Sequence, residues 1–176
     1  MNAIARIVGV VILNMLVSLG TTEFTTAGPT DGSNSGRAFQ RLESLVGRWE
    51  ATGPMGKVTA LYEVVSGGSV LLERLEVDGK DPMVATYHLD GDHLVLEHYC
   101  HAGNQAFLQA RPFDPESNEI DFDFVRATNL SGPAAGHMHQ LALKFNSSDE
   151  IASNWTWWEN GKRGGRSVSL VYHRLK

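Results

Sequence analysis

From Lys57 to the C-terminus, turn signals recur at intervals of roughly ten residues, and short segments with alternating apolar and polar residues run between them. "KVTALYEVV" (57–65) stops at Gly67-Gly68, and "SVLLERLEV" (69–77) stops at Asp78-Gly79. "MVATYHL" (83–89) turns through Asp90-Gly91-Asp92 into "HLVLEHYCH" (93–101), which Gly103-Asn104 closes. "QAFLQARPF", "EIDFDFVRA", "HMHQLALKF", "EIASNWTWWE" and "RSVSLVYHRL" follow, each separated from the next by Gly, Pro, Asn or Asp. Connections this short only join antiparallel neighbours. A long meander avoids open edges by closing on itself. The spacing predicts an all-β, antiparallel up-and-down barrel of about nine strands, without internal repeats of the solenoid kind.

The N-terminal part reads differently. Arg6 precedes an apolar run from Ile7 to Leu19, and the small residues Thr25-Thr26-Ala27 precede Gly28. This is the plan of a signal peptide, residues 1–27. The run is too short for a membrane anchor, which needs roughly 20 apolar residues. The expectation is export to a secreted or periplasmic location, with no membrane attachment after cleavage. Residues 28–36, "GPTDGSNSG", read as a disordered leader. Residues 37–176 then form one domain, with "GRAFQRLESLVGRW" as a short helix: Phe39, Leu42, Leu45 and Val46 fall at helical spacing and Gly47 ends it. A formal net charge of −5 argues against a nucleic-acid partner. The single cysteine, Cys100, excludes an internal disulfide, so packing alone must hold the fold. Sequons at Asn129, Asn146 and Asn154 matter only in a glycosylating host. Oligomeric state is open.

The ends of the domain carry a resemblance. Gly47-Arg48-Trp49 follows the helix and opens a strand, and Arg174 stands near the end of "VSLVYHRLK". This layout resembles the lipocalin-like (calycin) superfamily, in which a Gly-x-Trp motif opens the first strand and a basic residue of the last strand packs over the Trp. Residues 87–105, "YHLDGDHLVLEHYCHAGNQ", are also similar to a segment of small secreted bacterial lipocalin-like proteins. The resemblance implies the barrel and gives Gly47, Trp49 and Arg174 a structural role. It implies no activity.

Four of the seven histidines lie in residues 86–103, so a site is worth seeking. Counting by strand period two, His98 shares a face with Leu94, Leu96 and Cys100, while His93 and His101 lie opposite. His137 and His139 align with Leu141, Leu143 and Phe145, and Arg126 aligns with Ile120, Phe122 and Phe124. Four polar groups (His98, Arg126, His137 and His139) are therefore expected inside the barrel. Three readings stay open. They are core residues with hydrogen-bond partners, or anchors for a small apolar or amphipathic, anionic ligand, with Arg126 forking onto its carboxylate. Alternatively His137-x-His139 and His98 are metal ligands, although no carboxylate stands beside the pair. A haem variant would use His173. No cofactor is assigned. Cys100 has His98 as a neighbouring base but neither a third residue nor an oxyanion turn, so it reads as a small apolar side chain and no catalytic residue is assigned. Trp155 and Trp157 are expected in the core, and Trp158 on the outer surface. A carrier, an enzyme working inside the barrel, and a barrel filled by its own side chains are the competing functions.

Overall fold

A computed structural model describes residues 33–176; the expected signal peptide and most of the expected leader lie outside the described residues. Strands β1 (Gly47–Gly53), β2 (Gly56–Val65), β3 (Val70–Val77), β4 (Met83–Asp90), β5 (His93–Tyr99) and β6 (Gln105–Ala110) follow one another as antiparallel neighbours. β7 (Glu119–Thr128), β8 (His137–Phe145) and β9 (Glu150–Glu159) continue the meander. The two-residue β10 (Lys162–Arg163) pairs with β9 outside the ring, and β11 (Val168–Arg174) runs between β9 and β1 to close it. Ten strands thus make a closed antiparallel barrel. The expected count of about nine is low because β1, GRWEATG, is too mixed in polarity to announce itself except through Gly47-Arg48-Trp49.

Helix α1 (Asn34–Glu43) begins two residues before the expected helix, inside the stretch read as a leader. The reason is local: the Ser33 hydroxyl accepts the Gly36 N–H at 3.0 Å and caps the first turn. Ala38, Phe39 and Leu42 are buried, and with Leu45 they plug one end of the barrel. Full burial of each of the larger side chains is worth about 1.5–3 kcal/mol. Arg41 lies over the Phe145 ring at 4.5 Å and fixes the helix to β8.

The seam between first and last strands is thin, with only Trp49↔Arg174 and Glu50↔His173 in register. Side chains reinforce it. Arg174 Cζ lies 4.2 Å from the centre of the fully buried Trp49 ring. Its guanidinium donates to the carbonyls of Val46 and Ser44, both at 2.7 Å, and of Ser148 at 3.1 Å. Trp49 Nε1 donates to Leu45 O at 2.7 Å. Gly47 has φ 125°, and a Cβ there would stand 3.1 Å from Arg174 Nη1. A larger residue at position 47 would strain the backbone and crowd the guanidinium.

Below its open end the barrel is filled by its own side chains, including Trp49, Tyr62, Leu71, Tyr87, Phe122, Leu141 and Trp155. Two bulges decide which residues join them. Phe107 pairs with Arg126 but Leu108 pairs with Phe124, leaving Val125 as an extra residue on β7. Met138 pairs with Trp157 but Gln140 pairs with Thr156, leaving His139 extra on β8. Each extra residue shifts the alternation by one beyond it.

Candidate functional site

The meander places five connections at one end: β1–β2, β3–β4, β5–β6, β7–β8 and β9–β11. The helix plugs the other end, so ligand-sized space is found where these five loops meet. A cavity of about 690 Å³ opens there. Pro54 and Met55 come from the first loop, Val77, Lys80 and Met83 from the second, and Cys100, His101 and Ala102 from the third. Met138 and Trp157 form its inner wall, and Gly165, Arg166, Ser167 and Val168 close the ring. The volume lies within the range of small-molecule pockets. The wall is mostly apolar, while Lys80, His101 and Arg166 are basic. A smaller cavity of about 420 Å³ lies at the helix end between α1 and the β4–β5 and β6–β7 connections.

Individual contacts shape the mouth. Arg166 holds its guanidinium 5.4 Å from the Trp157 ring centre. Trp157 is 4 % exposed, and it lies so close to Gly136 that a Cβ there would clash with its six-membered ring. Gly136 is therefore required for the indole to lie flat against the β7–β8 loop. Asn104 fixes that loop by donating to Gly136 O at 2.8 Å. His101 Nε2 lies 2.5 Å from Asp81 O, tying the β5–β6 loop to the β3–β4 loop. The half-buried Cys100 faces the same cavity.

None of the four side chains expected to anchor a ligand lines this cavity. His98 is 2 % exposed, on the inward face two residues below Cys100, and 4.9 Å from the Trp155 ring. Its register partners are Ala85 and Ala106, whose small side chains leave room for the imidazole. Burial, then the nearby His101, pushes its pKa down to about 4, so His98 is neutral near pH 7. Its Nε2 has no hydrogen-bond partner among the described residues.

Arg126 is not inside. Its side chain is 55 % exposed and lies 3.7 Å from Glu97 Oε1, with Cζ 4.7 Å from the Phe107 ring centre. The bulge at Val125 is the cause. Strict alternation counts Arg126 inward, but the extra residue hands that position to Ala127, which pairs with the buried Ala106. On β8 a bulge likewise shifts the faces, although His137 stays buried, 7 % exposed. Met138, opposite the buried Trp157, packs on the core, while His137 pairs with Trp158 and His139 is the bulged residue.

Past Asp123↔Gln140, β7 and β8 no longer pair, and an aromatic cluster fills the split. His139 is stacked between Phe124 (4.7 Å, 19°) and Trp158 (4.4 Å, 17°). His137 donates from Nδ1 to Ala135 O at 3.1 Å, so when it is neutral its Nε2 accepts from His139 Nδ1 at 3.1 Å. Burial and the neighbouring His137 lower the His139 pKa, against the pull of Asp123. The two imidazoles thus bond to each other and are held apart from His98. Among the described residues no group of three His, Cys, Asp or Glu side chains is placed to hold a metal ion. His173, the haem candidate, is 66 % exposed and lies 3.6 Å from Glu150.

The interior also holds a polar cluster that the reading of the histidines passes over. Glu73 is 5 % exposed and accepts hydrogen bonds from Tyr62 at 3.0 Å and Tyr87 at 2.7 Å, one on each carboxylate oxygen. Burial raises the Glu73 pKa, and the two phenols oppose the rise. Tyr62, Tyr87 and Tyr172 are all raised, first by burial and then by the Glu73 charge. A signal existed: in "SVLLERLEV" Glu73 shares the face of Leu71, Leu75 and Val77, by the parity that singles out His98.

No family model matches the chain, and no curated protein matches it. Rv2717c from M. tuberculosis, known from a crystal structure, is similar over 79 % of this chain and 98 % of its own, at 17 % identity and a TM-score of 0.52. That likeness shows the shared barrel fold. A redesigned β-barrel, b11L5F_LGL, aligns over 76 % of this chain and 94 % of its own at 10 % identity and a TM-score of 0.37, too weak a match to bear on the fold.

Proposed function

We propose that the chain is an exported, lipocalin-like carrier that takes a small anionic amphiphile at the mouth of its barrel. The observation that carries this is the cavity of about 690 Å³, apolar on Met55, Met83, Met138 and Trp157 and basic on Lys80, His101 and Arg166. An alkyl chain would rest on the thioethers and the indole, which adapt to irregular shapes, and a carboxylate or sulfate would meet the three basic groups. Export is supported by the apolar run from Ile7 to Leu19 and the small residues before Gly28. Lipocalin-like membership is supported by Gly47-x-Trp49 and the Arg174 staple. A second reading, a non-catalytic barrel acting through its surface, draws support from the packed interior.

Calorimetry with decanoate and decanol tests the carrier. Decanoate should bind with quenching of Trp157 fluorescence, and decanol more weakly. Arg166→Ala should weaken decanoate two- to fivefold, the range expected of one half-exposed ion pair worth roughly 0.5–1 kcal/mol. Arg126→Ala should leave binding unchanged because its side chain faces away. Absence of heat and of quenching with both amphiphiles would favour the filled barrel.

A further inference from the structure

The chain carries a formal charge of −5, yet basic side chains gather at the mouth. Lys80 and Arg166 line the cavity, while Lys162 and Arg163 project from the hairpin beside it and are exposed. None of these four forms an ion pair with a described residue. Elsewhere on the barrel some cations are matched: Arg111 meets Asp123 at 2.7 Å and Asp121 at 3.4 Å, and Arg174 lies 3.5 Å from Asp149, while Arg37, Arg41, Arg48, Arg74 and Lys144 form no ion pair with a described residue. Asp78, Asp81 and Glu159 share the mouth end without pairing these cations. At the helix end the connections carry Asp92, Asp114, Glu116 and Asp149 beside Arg111. Four cations without an ion pair to a described residue thus stand around the apolar opening of about 690 Å³.

The tip of the β1–β2 hairpin adds a second element. Met55 is 48 % exposed at the rim, next to Pro54. An apolar prong beside unneutralised cations is the combination that holds peripheral proteins on anionic bilayers, where neither signal suffices alone.

We propose that the mouth docks on an anionic lipid surface, with Lys80, Lys162, Arg163 and Arg166 over the headgroups and Met55 dipping among them. This rests on the mouth being the ligand's entrance, and it names the source of the ligand: an amphiphile passes from the bilayer into the cavity without crossing water. The attachment is reversible, because a few charges and one apolar side chain bind far more weakly than an inserted helix.

Vesicle flotation tests the docking. The protein should float with phosphatidylcholine–phosphatidylglycerol vesicles and not with phosphatidylcholine alone, and rising salt should release it. The double variant Lys162→Glu/Arg163→Glu lies outside the cavity wall. It should lose at least about 25-fold in partitioning, about fivefold for each basic residue removed near the surface with repulsion from the new carboxylates added, and bind decanoate as before. Comparing chains of one length cancels any contribution of residues 7–19. Equal flotation with both vesicle types, no flotation, or an unaffected double variant would overturn the docking; so would binding to soluble heparin with none to vesicles. Decanoate binding, measured in parallel, then decides separately whether the carrier reading stands.

Discussion

Replacing Glu73 by glutamine should make the protein more stable at neutral pH, although it removes a residue at the centre of a buried network. The carboxylate is 5 % exposed and its compensation consists of two phenolic hydrogen bonds. Its pKa is raised above the ordinary value of 4.5, with burial as the larger cause. A carboxyl raised on folding contributes its full stability below the unfolded value and loses it as the pH rises through the folded value. Wild type is therefore penalised above that window by about 1.4 kcal/mol for each unit of the rise. Glutamine has nearly the same shape, accepts one tyrosine and donates to the other, and carries no charge.

Alanine is the contrasting change. It leaves the Tyr62 and Tyr87 hydroxyls buried without a partner, at about 1–3 kcal/mol each, besides the space it empties. Urea unfolding at pH 4 and pH 8 measures both. Glu73→Gln should match wild type at pH 4 and exceed it at pH 8, so its stability should fall more steeply than that of wild type between pH 8 and pH 4. Glu73→Ala should fall below wild type at both. If glutamine proved as destabilising as alanine at pH 8, the ionised carboxylate would itself be holding the strands, and the argument from burial would fail.

Arg174→Ala should cost about 2–4 kcal/mol, since it strips three carbonyls of a charged donor and uncovers Trp49 at a seam with two register pairs. Arg174→Lys should recover only a small part, because an ammonium cannot fork between the Ser44 and Val46 carbonyls; thermal unfolding reads both variants. His98 should stay neutral from pH 8 to about 5 when its ring is followed by NMR, as burial holds its pKa near 4. Its effect on stability has the opposite sign to that of Glu73. A histidine lowered on folding withdraws stability as the pH falls from the unfolded value of about 6.5 toward 4. His98→Asn should therefore flatten the loss between those limits, and a variant whose acid limb is unchanged would refute the assignment.

Period two and the turn residues were enough to read the strands, their antiparallel order and the closure, because a strand's face and a hairpin's turn are set by residues adjacent in the chain. The Trp49–Arg174 pairing was foreseen through resemblance to a known layout; local pattern alone would not join residues that far apart. Ser33 as a helix cap was also local, but a polar leader obscured it. Two bulges were beyond reach. One extra residue at Val125 and one at His139 reverse the faces on the mouth side of each bulge, so Arg126 reaches water and Met138 takes the inward place expected of the flanking histidines. Nothing in "DFVRA" or "HMHQL" marks the insertion, since a bulge is forced by how neighbouring strands curve around a closed barrel. Tertiary structure alone decided where the useful space lies. Five loops meet at one end because a helix occupies the other, and Glu73 meets Tyr62 and Tyr87 because three adjacent strands point them at one spot. Sequence could place each of these residues on a face, but only closure of the ring made those faces converge.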